Sequence, residues 1–113
     1  MAIVVFGSIN MDLVVRSPRL PQPGETLTGH SFFTAPGGKG ANQAVACARL
    51  GAPTRMVGRV GDDVFGATLR EGLQSDGVEI ERVFVQPAIS SGTAVITVND
   101  AAENTIIIVP GAN

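Results

Sequence analysis

Asn10 and Asp12 stand two residues apart just after the first apolar run, and Gly37-Gly38-Lys39-Gly40-Ala41-Asn42 lies further along the chain. In an extended segment, residues i and i+2 point to one side, so this amide and carboxylate share a face. A carboxylate only accepts hydrogen bonds and therefore suits two vicinal hydroxyls, whereas an amide donates and accepts. In the second stretch, glycines without a Cβ let a ligand approach the backbone. The N–H groups of a helix's first turn are donors in need of an acceptor, and Lys39 and Asn42 add side-chain donors. These groups share one chemistry, recognition of an oxygen-rich ligand such as a sugar or a phosphate. Plainer readings stand beside it: Asp12 as a turn carboxylate capping backbone N–H groups, and the glycines as a means of packing a helix closely.

Spacing removes two phosphate motifs. A P-loop needs Gly-Lys followed by Ser or Thr to hold magnesium, but Lys39 is followed by Gly40 and Ala41. A dinucleotide fingerprint places its three glycines directly after the first strand, and these come much later.

The elements that must position these residues are read from periodicity. Ala2 to Phe6 is apolar and β-branched, ending at Gly7, and predicts a strand buried on both faces. Ser8 to Asp12 is a polar break, after which Leu13-Val14-Val15 resumes as a strand. Pro18, Pro21, Pro23 and Gly24 force a loop, and Glu25 to Phe33 predicts an exposed strand, followed by a Thr34-Ala35-Pro36 loop. Gly40 to Leu50 reads as a helix stopped by Gly51 and Pro53, and Thr54 to Val60 as a strand. Gly61-Asp62-Asp63 offers an N-cap to an amphipathic helix over Val64 to Ser75, with Phe65, Leu69 and Leu73 on one face. Val83 to Val85, Gly92 to Val98 and Thr105 to Val109 are further strands, the last two joined by a polar hairpin over 99–104. Strands alternating with helices imply βαβ units and a parallel sheet. The alternating and hairpin strands imply a small antiparallel sheet beside it, able to close over a ligand.

The length of 113 residues suits one domain. With 44% hydrophobic and only 16% charged residues there is apolar material for a core. Eight basic against ten acidic residues, without a basic run, argue against nucleic acid as a partner. No apolar run reaches membrane-spanning length and no signal-peptide n-region precedes the first one, so no membrane partner and a cytoplasmic location are expected. A lone Cys47 fits a reducing compartment. Pro110-Gly111-Ala112-Asn113 follows directly on an apolar strand, which leads us to expect the front part of a longer protein.

Gly7-Ser8-Ile9-Asn10-Met11-Asp12, Pro23-Gly24-Glu25-Thr26 and Gly37-Gly38-Lys39-Gly40-Ala41-Asn42-Gln43-Ala44 resemble the N-terminal part of the PfkB carbohydrate-kinase family. The lysine in the glycine turn points to its ribokinase-like branch over fructokinase- or adenosine-kinase-like relatives. Gly51, Gly61-Asp62-Asp63, Gly92-Thr93-Ala94 and Gly111-Ala112-Asn113 continue the likeness across essentially the whole chain. The resemblance implies an α/β Rossmann-like, ribokinase-like parallel sheet flanked by helices. A small antiparallel β-lid would come from strands at about 13–16, 26–33, 93–98 and 105–109, all within residues 1–113, the N-terminal part of a single ribokinase-like domain. It implies ATP-dependent phosphorylation of D-ribose at its 5-hydroxyl and a homodimer clasped through the lid. Carried over by position, Asn10, Asp12, Gly38, Lys39 and Asn42 would hold the sugar hydroxyls, and Met11, Gly40 and Ala41 would line the same pocket. The family's catalytic aspartate, its glycine-rich anion hole, the site for ATP with Mg2+ and the site for a monovalent cation such as K+ belong past Asn113. No catalytic residue and no metal ligand is therefore expected in this chain. The alternatives are a non-catalytic sugar-binding or dimerisation module, or a kinase for another sugar or nucleoside. His30 is expected to be a solvated lid residue, Cys47 a packing residue, and Asp62 or Asp63 a helix cap.

Overall fold

Two sheets grow from one core in the computed structural model, which describes residues 1–113. The elements run β1 (Ile3–Phe6), β2 (Asn10–Arg16), β3 (Ser31–Gly37), α1 (Lys39–Arg49), β4 (Thr54–Gly61), α2 (Val64–Ser75), β5 (Val78–Gln86), β6 (Gly92–Val98) and β7 (Asn104–Val109). β1, β4 and β5 make a parallel sheet in that order. Successive crossovers step the same way along this sheet, so α1 and α2 fall on one face. There Ala41 and Ala44 of α1, with Leu69 and Leu73 of α2, meet Val5, Met56, Val60, Val78 and Val83 in a single cluster.

The second sheet has the order β3-β2-β6-β7. Ile9 and Met11, at the root of β2, reach into the same core, with Leu13 packed against it. One end of this sheet is thereby anchored while the other stands clear. Its outer pairs, β2–β3 and β6–β7, are antiparallel, as the alternation and the hairpin imply. The central pair β2–β6 runs parallel, a pairing that alternation cannot report because it shows only that one face is wet.

Several boundaries differ from expectation, each for a physical reason. β2 begins at Asn10 and takes in most of the expected polar break, because Asn10 to Asp12 pair with β3 on one side and β6 on the other. β3 lies over Ser31–Gly37 instead of 26–33. Its partner β2 ends at Arg16, opposite Ser31, so residues before Ser31 have no strand to pair with. Pro36 is tolerated because β3 is an edge strand, where a missing N–H breaks no second ladder. β5 starts at Val78, its charged stretch accepted at a sheet edge where Arg55 bonds Glu79 across the pair at 2.6 Å. β1 is not buried on both faces: Val5 packs in the core, but Val4 and Phe6 are 59% and 82% exposed, since both helices cover the other side.

The two glycines inside α2 give a test of this packing. A Cβ on Gly66 would lie 2.1 Å from the Gly61 carbonyl oxygen, whereas one on Gly72 would meet nothing within 4 Å. Gly72→Ala is therefore expected to stabilise the protein by about 0.5–1 kcal/mol, the helix cost of glycine. Gly66→Ala should destabilise it by more than that. Thermal melts that moved in the same direction for both would contradict the seating of α2 on the end of β4.

Candidate sugar-binding site

Strand periodicity sorts the residues of β2. Met11 and Leu13 turn to the core, so Asn10 and Asp12 turn together to the opposite face. Their cross-strand neighbours are Gly37 and Ala35 on β3, and Gly92 and Ala94 on β6. None carries more than a methyl group, so the amide and carboxylate are flanked on both sides by small residues. A Cβ on Gly37 would sit 2.6 Å from each Asp12 carboxylate oxygen, and one on Gly92 would sit 2.4 Å from Asn10 Oδ1.

Asp12 is half-buried, and burial pushes its carboxyl above the usual carboxylate range with no donor to offset it. Several other acids, by contrast, have partners. Burial also works against Asp63, but the Ser91 hydroxyl and the Ser91 and Gly66 N–H groups outweigh it and hold its carboxyl low. Arg19 bonds both oxygens of Glu25 and, with the Gln22 N–H, brings its pKa to about 2. Asp76 is bonded by Arg49 and Glu79 by Arg55. The capping role belongs to Asp63, at the N-cap of α2. Asp12 caps nothing, and its acceptors remain open.

The glycine turn packs against the β1–β2 link. Gly38 is the N-cap of α1 with φ +95°, and a Cβ there would lie 2.6 Å from Ser8 O and 2.9 Å from Asn10 N. A Cβ on Gly40 would lie 2.7 Å from the Gly7 carbonyl carbon. The first-turn N–H groups, expected to be free for a ligand, are largely taken up by the protein. Lys39 N–H donates to Ser8 Oγ at 3.1 Å, Ala41 N–H to Ser8 O at 3.0 Å and Asn42 N–H to Gly38 O at 2.9 Å. The close approach of the turn to Ser8 makes that residue the acceptor for two of these N–H groups, a role that spacing along the chain does not reveal.

The structure thus brings Asn10, Asp12 and Gly38 together and separates others. Met11 and Ala41 are core side chains, 3% and 5% exposed, and Gly40 is buried against Gly7. Lys39 is exposed at the start of α1. Asn42 lines a groove with Pro36, Val45, Arg49 and Asp76, to which neither Asn10 nor Asp12 contributes. Asn113 joins the site unannounced: its Nδ2 donates to Asn10 Oδ1 at 2.6 Å and its Oδ1 accepts the Ile9 N–H at 2.9 Å. The two residues are 103 positions apart, brought side by side by the β2–β6 and β6–β7 pairings and the Ala112 N–H bond to Ser90 O. No three His, Cys, Asp or Glu side chains converge in a group able to hold a metal ion.

A parallel α/β layer thus carries a second sheet at its strand ends, with Asn10 and Asp12 side by side at that root. Residues 2–113 match the model of the pfkB family of carbohydrate kinases, and the chain belongs to that family. It is 50% identical over 111 residues to a ribokinase of Bacillus subtilis, covering 98% of this chain and 38% of that protein. A deoxyribokinase of Salmonella typhi is 43% identical over 113 residues, covering all of this chain and 37% of the relative. Arabidopsis thaliana ribokinase, solved with ribose and ATP, superposes with a TM-score of 0.92 at 43% identity, covering all of this chain and 38% of that one. The chain spans little more than a third of the length of these proteins. No helix is long and apolar enough to cross a membrane.

Proposed function

We propose that the chain forms the sugar-binding half of a ribokinase-like carbohydrate kinase, which transfers the γ-phosphoryl group of ATP to the 5-hydroxyl of D-ribose. The observation that carries this reading is the half-buried carboxylate of Asp12, left without a protein donor and flanked by Ala35 and Ala94. Two vicinal sugar hydroxyls would supply the missing donors, and Asn10 would bond a neighbouring oxygen. Phosphoryl transfer depends mainly on positioning and on charge stabilisation around the γ-phosphate. These residues serve the first requirement by holding the sugar in one orientation. Mg2+ with ATP, and a monovalent cation, supply the second in such kinases, and no residue of this chain is assigned to either ion. The likeness to proteins named ribokinase supports ribose, and the likeness to a deoxyribokinase makes 2-deoxyribose the competing sugar.

Calorimetric titration with both sugars tests the reading. Ribose is expected to bind more tightly than 2-deoxyribose by about tenfold, because the lost hydroxyl leaves one acceptor of a partly desolvated carboxylate unpaired. Equal affinity would move the carboxylate away from the 2-hydroxyl, and tighter binding of the deoxy sugar would reverse the assignment. A homodimer through the second sheet belongs to the same reading. Phe32, Val95 and Ile107 are exposed on one face of it, and exposed apolar side chains of this kind mark interfaces.

A further inference from the structure

The site contains a relay that decides which end of the Asn10 amide faces a ligand. A backbone N–H can only donate, so the atom of Asn113 that meets the Ile9 N–H must be its carbonyl oxygen Oδ1. The opposite end of the same amide, Nδ2, therefore faces Asn10 and donates to it. That in turn makes the facing atom of Asn10 its Oδ1. Both amides pack on Gly92, where a Cβ would lie 2.1 Å from Asn113 Nδ2 and 2.4 Å from Asn10 Oδ1. Each step is fixed by the one before, and the origin is a donor that cannot rotate. The Nδ2 of Asn10 is left as the end with no bond to the protein.

We infer that Asn113 is a positioning residue for substrate recognition, holding Asn10 so that it offers hydrogen-bond donors beside the acceptors of Asp12. This deepens the sugar-site reading and rests on it. A donor next to a carboxylate matches a sugar edge on which one oxygen accepts while its neighbours donate. It disfavours ligands that present donors alone. The glycine at position 92 acquires a reason as well, since any side chain there would push the two amides apart.

Asn113→Asp separates this role from support of the fold. The aspartate still accepts the Ile9 N–H but turns a second acceptor toward Asn10. The Asn10 amide must then flip, leaving Oδ1 as its free end. Ribose affinity is expected to fall about tenfold or more, with the melting temperature held. The variant Asn10→Ala/Asn113→Asp should bind no more weakly than Asn10→Ala alone, because Asn113 acts only through Asn10. Additive losses, or unchanged affinity in Asn113→Asp, would overturn the inference. A readout without sugar keeps it distinct from the ribose reading. In amide NMR spectra of the free protein, one side-chain proton of Asn113 should be shifted and slow to exchange, and Asn10→Ala should abolish both effects. If that signature is absent, the relay fails whatever the sugar does. If it is present while ribose does not bind, only the choice of ligand falls.

Discussion

Asp12→Asn is expected to weaken ribose binding by at least about tenfold while leaving the melting temperature unchanged or slightly raised at neutral pH. The amide offers one acceptor where the carboxylate offers two. Hydrogen bonds to a charged group contribute roughly 1.5–3 kcal/mol each, and tenfold in affinity corresponds to about 1.4 kcal/mol. Stability should not suffer, because Asp12 makes no bond that the fold uses and its charge is held at a cost by burial. Its carboxyl is raised in the folded state, so the native protein binds this proton more tightly than the unfolded chain does. The burden is therefore full at neutral pH and disappears as the pH falls below the ordinary carboxylate value. Any gain in melting temperature for Asp12→Asn should vanish in the same window. A variant that lost thermal stability while keeping its ribose dissociation constant would return Asp12 to a structural role.

Gly38→Ala should act the other way, on the fold before the sugar. Its φ of +95° is strained for any residue with a Cβ, at roughly 1–3 kcal/mol. The methyl group would also press on Ser8 O and Asn10 N, which are backbone atoms with little freedom to retreat. For a domain of this size each kcal/mol lowers the melting temperature by about 4–8 °C, so a fall of about 10 °C or more is expected. Gly37→Ala makes the control. There φ is ordinary and the obstacle is the Asp12 carboxylate itself, 2.6 Å from the new Cβ at both oxygens. A side chain can swing aside, so the fold should largely hold while ribose affinity drops. Circular-dichroism melts beside sugar titrations separate the two, and a Gly38→Ala protein as stable as the parent would remove the tight turn from the account.

The fold class and several local features were legible from residues alone because they depend on local spacing. Asn10 and Asp12 at i and i+2 share a face in any extended segment. The periodicity over Val64 to Ser75 marks the same helix that the structure contains, and Asp63 is a good N-cap wherever such a helix begins. The glycine turn announces a close approach of backbone. Those properties need no knowledge of what lies across the fold.

What only tertiary structure decided is every property that depends on a partner distant in sequence. The β2–β6 pairing sets Gly92 and Ala94 beside Asn10 and Asp12, and together with the β6–β7 pairing brings Asn113 to Asn10 across 103 positions. The approach of the glycine turn to Ser8 takes up N–H groups that a helix start would otherwise leave open. Period-2 alternation said that Met11 differs in facing from its neighbours, but not that the core occupied its side. The placement of both helices on one face left Val4 and Phe6 exposed, although their composition reads as interior. In each case the deciding term is a contact between segments far apart in the chain, and residue type alone does not specify which segments meet.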